Sequence, residues 1–306
     1  MTAMAVLAVD IGGTKLAVAV VADDGTVLRS LRAPTDPVDP WTALLALCRE
    51  VVGEERVSGV GIGCGGPMRW PSGLVSPLNI DAWRDVPLRD SLAQAYPGVP
   101  VRIHNDAVCV AIGEHWRGAG QGASDLLGLV VSTGVGGGLI LGGRVIDGPS
   151  GNAGHIGHLV VEPDGPRCVC GGQGCLEAVA RGPAIVAWAA ERGCPATDGR
   201  ELSALAASGE PVAVAALARA GAAVGLALAS AAALLDLRLV VIGGGLSQSG
   251  EPFWAPLRAE LAARAGLGFL AGLEVVPAAL GQEAGLVGAA ALVLVPERYA
   301  GGTIKA

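Results

Sequence analysis

Aromatic side chains are scarce in this 306-residue chain: six Trp, two Tyr and two Phe make up 3% of it, while apolar residues reach 51%. A sizeable core is therefore built mainly from Ala, Val and Leu, and the length supports about two domains. Basic excess is also missing. The 21 Lys and Arg stand against 28 Asp and Glu, a net charge of -7. No basic stripe appears, which argues against a nucleic-acid partner. The N-terminal stretch "MTAMAVLAVD" has no basic region, and Asp10 interrupts its apolar run, unlike a secretory signal. The longest apolar run, 220–235, contains Gly221, Gly225 and Ser230 and ends at Asp236. A spanning helix needs roughly 20 apolar residues, so this run reads as a buried core helix. The expectation is a soluble, cytoplasmic protein with no membrane or nucleic-acid partner.

Two phosphate-binding signatures are absent as well: there is no P-loop spacing, and no G-x-G-x-x-G follows the first apolar run. What is present is a repeated unit of apolar strand, glycine turn and apolar strand. It occurs in "VLAVDIGGTKLAVAVVADDG" and again in "DLLGLVVSTGVGGGLILGGRV", with a third strand and glycine turn in "LVVIGGGLSQSG". Helical apolar spacing marks 41–52, 107–116 and most of 183–236. Strands alternating with helices indicate an α/β protein, and the repetition indicates two similar lobes. The segment "PTDPVDP" at 34–40 reads as a loop.

Glycines after a strand let backbone approach a ligand, and successive N–H groups can form an anion nest. "DIGGTK" at 10–15 adds a carboxylate, a hydroxyl and a lysine to such a turn, and "STGVGGG" at 132–138 adds two hydroxyls. A carboxylate, Asp106, stands in "IHND" between a strand-like and a helical stretch. Its plain reading is a helix N-cap; its sharper reading is a general base. Phosphoryl transfer needs phosphate positioning, charge neutralisation by Mg²⁺ and a carboxylate beside the attacking hydroxyl, and the chain has candidates for all three.

Cysteine is sparse but unevenly spread. Three of the seven fall in "CVCGGQGC", as Cys-x-Cys-x4-Cys, with His155 and His158 upstream. Cytosolic thiols stay reduced, so such a cluster points to metal binding or redox work rather than a disulfide. One imidazole and three thiolates make a closed tetrahedral Zn²⁺ site, with either histidine as the fourth ligand. Cys48, Cys64, Cys109 and Cys194 stand singly and read as small core residues.

The pieces "DIGGTK", "GIGCGGP", "HNDA", "STGVGGG", "GHIGH", "CVCGGQGCLE" and "VVIGGG" occur in the order found in the ROK family of sugar kinases and repressors. The chain resembles that family, within the actin/hexokinase-like ATPase superfamily. The resemblance implies a two-lobed, duplicated α/β fold with central mixed sheets and an inserted zinc-binding loop at 155–177. The lobes are expected at 1–108 and 109–282, with about 283–306 packing back on the first. It implies one structural Zn²⁺ held by His158, Cys168, Cys170 and Cys175. Sugar contacts would come from Gly66, Asn79, Asn105, Asp106, His155, His158 and Glu177, with Asp106 the base toward a sugar 6-hydroxyl; Glu177 also reads plainly as a helix-start carboxylate. ATP would meet Gly12, Gly13, Thr14, Lys15, Thr133 and Gly134, with Gly243, Gly244 and Gly245 near the adenosine and Asp10 positioning Mg²⁺. A homodimer or homotetramer is implied too.

One departure bears on substrate. Glucokinases of the family read G-E-x-G-H where this chain reads Gly154-His155-Ile156-Gly157-His158. A neutral histidine offers one donor and one acceptor and no negative charge. The variant is similar to that of bacterial N-acetylmannosamine kinases, so N-acetylmannosamine or another amino sugar such as kanosamine is the leading expectation. Pro67, where amino-sugar kinases sometimes carry arginine, keeps glucose close behind. Repressors of the family carry an added N-terminal helix-turn-helix, for which the first strand, starting within six residues of Met1, leaves no expected room. A catalytically silent sugar sensor is the remaining alternative.

Overall fold

The computed structural model describes residues 5–69 and 72–300. Residues 1–4 and 301–306, the outer ends of the expected lobes, lie outside the described residues. The chain divides into two compact units. One comprises 1–124, 138–154 and 279–306; the other comprises 125–137 and 155–278.

The first unit opens with β1 (Ala5–Ile11), β2 (Lys15–Ala22) and β3 (Val27–Pro34), followed by α1 (Pro40–Val52). Asp39 starts α1 by accepting the Thr42 N–H at 3.1 Å; Pro40 sits where its missing N–H costs nothing. Then come β4 (Val60–Cys64), the short pair β5 (Met68–Arg69) and β6 (Leu74–Val75), α2 (Leu88–Ala95), β7 (Val101–Asn105) and α3 (Asp106–Arg117). The sheet order is β3-β2-β1-β4-β7. β1 and β2, and β2 and β3, are antiparallel; β1, β4 and β7 are parallel. β1, β2 and β4 are almost wholly buried, which is why they read as unbroken apolar runs rather than alternating ones.

The second unit carries β8 (Leu126–Val131), the start of β9 (Val135–Leu141), then α4 (Leu176–Ala180), α5 (Gly182–Ala190), α6 (Gly199–Ala207), α7 (Pro211–Leu235), β11 (Leu239–Gly243), α8 (Glu251–Arg264) and β12 (Glu274–Pro277). The end of β9 and β10 (Arg144–Val145) fall in the first unit. The order β10-β9-β8-β11-β12 repeats the plan of the first sheet: a three-stranded meander, then two parallel strands. This is the expected duplicated α/β fold with mixed sheets. α7 is long and apolar enough to cross a bilayer, yet 61% of its most apolar window is buried. Gly221 and Gly225 let it meet α8 backbone to backbone; a β-carbon on Gly221 would lie 2.2 Å from the Phe253 carbonyl oxygen.

The expected boundary near Val108 falls inside α3, and α3 stays with the first unit. Its partner is α9 (Ala284–Leu294), which precedes the short α10 (Pro296–Tyr299). Glycines let the two helices touch: β-carbons on Gly113 and Gly288 would lie 2.2 Å from Ala284 O and 1.7 Å from Cys109 O. Gly61 of β4 admits α9 in the same way, with a β-carbon there 1.8 Å from Ala289 O. Periodicity cannot reveal such an interface, because glycine adds nothing to an apolar pattern.

Candidate functional site

In the first unit, one sheet edge collects the motifs. β1, β4 and β7 run parallel, and their register aligns Asp10, Gly63 and His104, then Ile11, Cys64 and Asn105. Their carboxyl ends therefore deliver "DIGGTK", "GGP" and "HND" to the same edge, where open α/β sheets bind ligands. The β1–β2 turn is closed by the Gly12 N–H donating to the Lys15 carbonyl at 3.0 Å, and the Thr35 hydroxyl donates to Gly12 O at 2.8 Å. Thr14 and Lys15 are exposed on it. Gly13 has a second reason to be glycine: a β-carbon there would lie 2.2 Å from Asn79 Cβ. Turn residue and Asn79 are thus direct neighbours.

The turn holding Asn79 is organised by Arg84, which the sequence did not single out. Its guanidinium donates to the carbonyls of Pro77, Ile80 and Trp83 at 3.3, 2.9 and 2.7 Å.

Asn105, not Asp106, is the N-cap of α3: its Oδ1 accepts the Ala107 N–H at 3.0 Å. That leaves its amide nitrogen beside Gly66, 3.6 Å from where a β-carbon would stand. Asp106 is the first helical residue; Oδ1 takes the Ala107 N–H at 2.8 Å, and Oδ2 lies beside Gly65. The plain reading of Asp106 as the cap is therefore corrected, because the preceding amide fills that place.

Asp10 sits between Gly63 and Gly285, whose missing side chains make its space; a β-carbon on Gly285 would be 2.9 Å from Oδ2. Burial, then the nearby Asp106 charge, push its carboxyl from 3.8 up to about 7, while Lys15 and Arg32 pull the other way. Arg32 is a further missed residue. It stands on β3 in register with Ala17, which is in register with Asp10, so a small side chain separates cation from carboxylate. Nothing in linear sequence aligns positions 32 and 10.

In the second unit, the β8–β9 turn is tied by the Ser132 N–H to Gly134 O at 2.9 Å, and Thr133 is exposed on it. Glu177, in the first turn of α4, reaches this turn: its Oε2 accepts the Val135 N–H at 3.0 Å and lies against Gly134. So Glu177 is both a helix-start carboxylate and a neighbour of the expected ATP residues. Gly243 ends β11, next to β8; Gly244, at φ 89°, would place a β-carbon 2.3 Å from Val131 O. The second and third glycine turns therefore abut.

The cysteine cluster closes around His158. One ligand atom each from His158, Cys168, Cys170 and Cys175 lies within 4.8 Å of the others. Cys170 and Cys175 sulfurs are 3.7 Å apart, and Cys168 Sγ is 3.8 Å from His158 Nδ1. Four ligands about 2.3 Å from Zn²⁺ would have tetrahedral edges of about 3.8 Å, so the donor set and its size fit that ion. Among the described residues His155 is outside the cluster; it is exposed, its ring nearly parallel to His158 with centroids 6.4 Å apart. The Gly172 N–H holds the Cys170 thiol below its ordinary range. Cys48, Cys64, Cys109 and Cys194 are buried and free, as expected of core residues.

The ROK family model matches residues 6–295. The chain belongs to the ROK family. Relatives include a glucokinase of Thermotoga maritima, 34% identical over 313 residues, spanning 96% of this chain and 98% of that one. An N-acetylmannosamine kinase of Shigella boydii is 34% identical over 292 residues, spanning 94% and 98%. Among solved structures, a ROK family glucokinase from Streptomyces griseus in complex with glucose and AMPPNP superposes with a TM-score of 0.84 at 36% identity, spanning 94% of this chain and 99% of that one. ROK membership accounts for the duplicated sheets and for the order of the glycine turns.

Proposed function

We propose that this ROK protein is a cytoplasmic sugar kinase that moves the γ-phosphoryl group of ATP to the 6-hydroxyl of a hexose or amino-hexose. The observation that carries the reading is the alignment of three parallel strand ends, which gathers a glycine turn, Asp10, Asn105 and Asp106 at one sheet edge. Asp106 Oδ2 takes the proton of the 6-hydroxyl. The oxygen then forms its bond to the γ-phosphorus as the bond to the bridging oxygen of ADP breaks, and ADP leaves with that electron pair. Asn105 has its carbonyl oxygen occupied by the helix cap, so its amide nitrogen donates to a sugar hydroxyl. Asn79, Gly66, His155, His158 and Glu177 supply the other sugar contacts.

The backbone from Gly12 to Lys15 and the Thr133–Gly134 turn receive phosphate oxygens, with Gly243, Gly244 and Gly245 toward the adenosine. Mg²⁺ arrives with ATP and neutralises phosphate charge, with Asp10 on this chain to position it. His158, Cys168, Cys170 and Cys175 would hold a structural Zn²⁺ that keeps the 155–177 loop rigid.

For the sugar, we favour an amino-hexose such as N-acetylmannosamine or kanosamine, because the His155 ring can donate a hydrogen bond where a carboxylate would only accept. The alternative is glucose, favoured by the 34% identity to a glucokinase over 98% of its length. ADP release with ATP, Mg²⁺ and a panel of glucose, mannose, fructose, N-acetylglucosamine, N-acetylmannosamine and 3-amino-3-deoxyglucose separates the two. Highest kcat/KM on an amino sugar supports the His155 argument. Highest kcat/KM on glucose refutes it, and binding without ADP formation would make the protein a sensor.

A further inference from the structure

His104 immediately precedes Asn105 and Asp106, and it is 1% exposed. A buried imidazole needs partners at both ring nitrogens. Its Nδ1 accepts the Asn105 N–H at 2.7 Å, and its Nε2 lies 2.7 Å from Asp147 Oδ1. A backbone amide can only donate, so Nδ1 carries no proton. The neutral ring therefore holds its hydrogen on Nε2 and donates it to the Asp147 carboxylate. The Asp147 side chain is 9% exposed, and its own carbonyl accepts the Ala153 N–H at 2.9 Å, which closes the 147–153 turn. The strand register sets His104 in line with Gly63 and Asp10, so imidazole and Asp10 carboxylate share one face of the sheet with only a glycine between them.

We propose that His104 and Asp147 are positioning residues for the Asn105–Asp106 turn. Asp147 fixes the tautomer and orientation of the imidazole. The imidazole in turn fixes the Asn105 N–H, at the point where β7 ends and α3 begins. Without that acceptor the Asn105 N–H would lose this hydrogen bond, and Asn105 and Asp106 follow directly on the peptide that it fixes. The logic is that of a carboxylate holding a histidine in the productive tautomer, except that here the histidine serves a backbone amide rather than a nucleophile. The inference rests on Asp106 being the base and Asn105 a sugar contact.

The first test is ¹⁵N NMR of histidine-labelled protein at neutral pH, with the His104 signal identified by its loss in a His104→Gln variant. Four histidines in the chain make that assignment direct. The expected signal is the Nε2–H tautomer; a ring protonated on Nδ1, or on both nitrogens, overturns the proposal whether or not any variant folds. The second test is turnover of Asp147→Asn on the best sugar of the panel. Expected is a kcat lower by roughly ten- to a hundredfold, the range a misaligned catalytic group produces, with sugar KM changed much less. In an Asp106→Asn background the same change should add little, since the positioned group is already gone. An equal further loss there, or an unchanged kcat in the single variant, overturns a positioning role. Failure of the underlying reading shows separately, as near-normal turnover by Asp106→Asn alone.

Discussion

An Asp10→Asn variant, unfolded in denaturant beside the wild type across a range of pH without Mg²⁺, measures what the fold spends on holding that carboxylate. Asp10 is enclosed by Gly63 and Gly285 and faces the Asp106 charge, which lifts its pKa from 3.8 to about 7. The native state therefore keeps a proton that the unfolded chain has released at any pH between those values. A raised carboxylate contributes stability that is complete below pH 3.8 and is lost as pH rises through about 7. Each pH unit in that window costs about 1.4 kcal/mol. From pH 5 to pH 8 the wild type should thus lose about 3 kcal/mol relative to Asp10→Asn, whose side chain does not titrate. The readout is the difference between the two unfolding free energies at each pH, so that titrating groups not coupled to Asp10 cancel. A difference that stays constant from pH 5 to 8 would refute the reasoning. It would mean that Lys15 and Arg32 already hold the carboxylate ionised at pH 5, and that burial is not the dominant influence.

Asp106→Asn should leave sugar binding, read by calorimetry, nearly intact while kcat falls roughly 10²–10⁴-fold, as loss of a general base does; near-normal kcat would remove Asp106 from that role. Chelation, or Cys170→Ser, should lower Tm and activity together and increase proteolysis within 163–174. Structural zinc in finger peptides is worth roughly 10–16 kcal/mol, but here the bidentate Arg219–Glu162 pair at 2.9 and 2.6 Å also anchors the loop, so local opening rather than global unfolding is expected. An unchanged Tm in metal-free protein would contradict a structural metal. Gly61→Ala should destabilise by about 1–3 kcal/mol, since its β-carbon meets the α9 backbone, which cannot move aside as a side chain can; a Tm equal to wild type would show that α9 can shift to accommodate it.

Much of this was legible beforehand, for definite reasons. A run such as "VLAVDIGG" is a buried strand and turn in any context, because its apolar stretch and its glycines act locally. The three such units set the duplicated α/β architecture, and the helical apolar spacing over 41–52 falls within α1, although Pro40, read as the end of a loop, is its first residue. The cysteine spacing likewise confined the metal candidates to two histidines and three thiols. Between the histidines the resemblance named His158, and the folded loop presents the Nδ1 of that residue to Cys168.

Other features depended on strands far apart in the chain. Asp106 read as a cap because a carboxylate before a helix usually is one; only the turn geometry gave that place to Asn105. The division near Val108 followed from the repeat of strand, glycine turn and strand, and that point lies within α3. The actual assignment of α3 was decided by Gly113 and Gly288, which let α9 return from the other end of the chain to backbone contact. Sequence by itself determined which residues are able to carry chemistry: the carboxylates, thiols, imidazoles and glycine turns, whose capacity follows from what each side chain can donate, accept or leave out. Tertiary structure alone decided what those groups meet. The partnership of His104 with Asp147, the row from Arg32 through Ala17 to Asp10, and the glycine-walled space that raises the Asp10 pKa all arise from strand register and helix return, which join positions that no local periodicity connects.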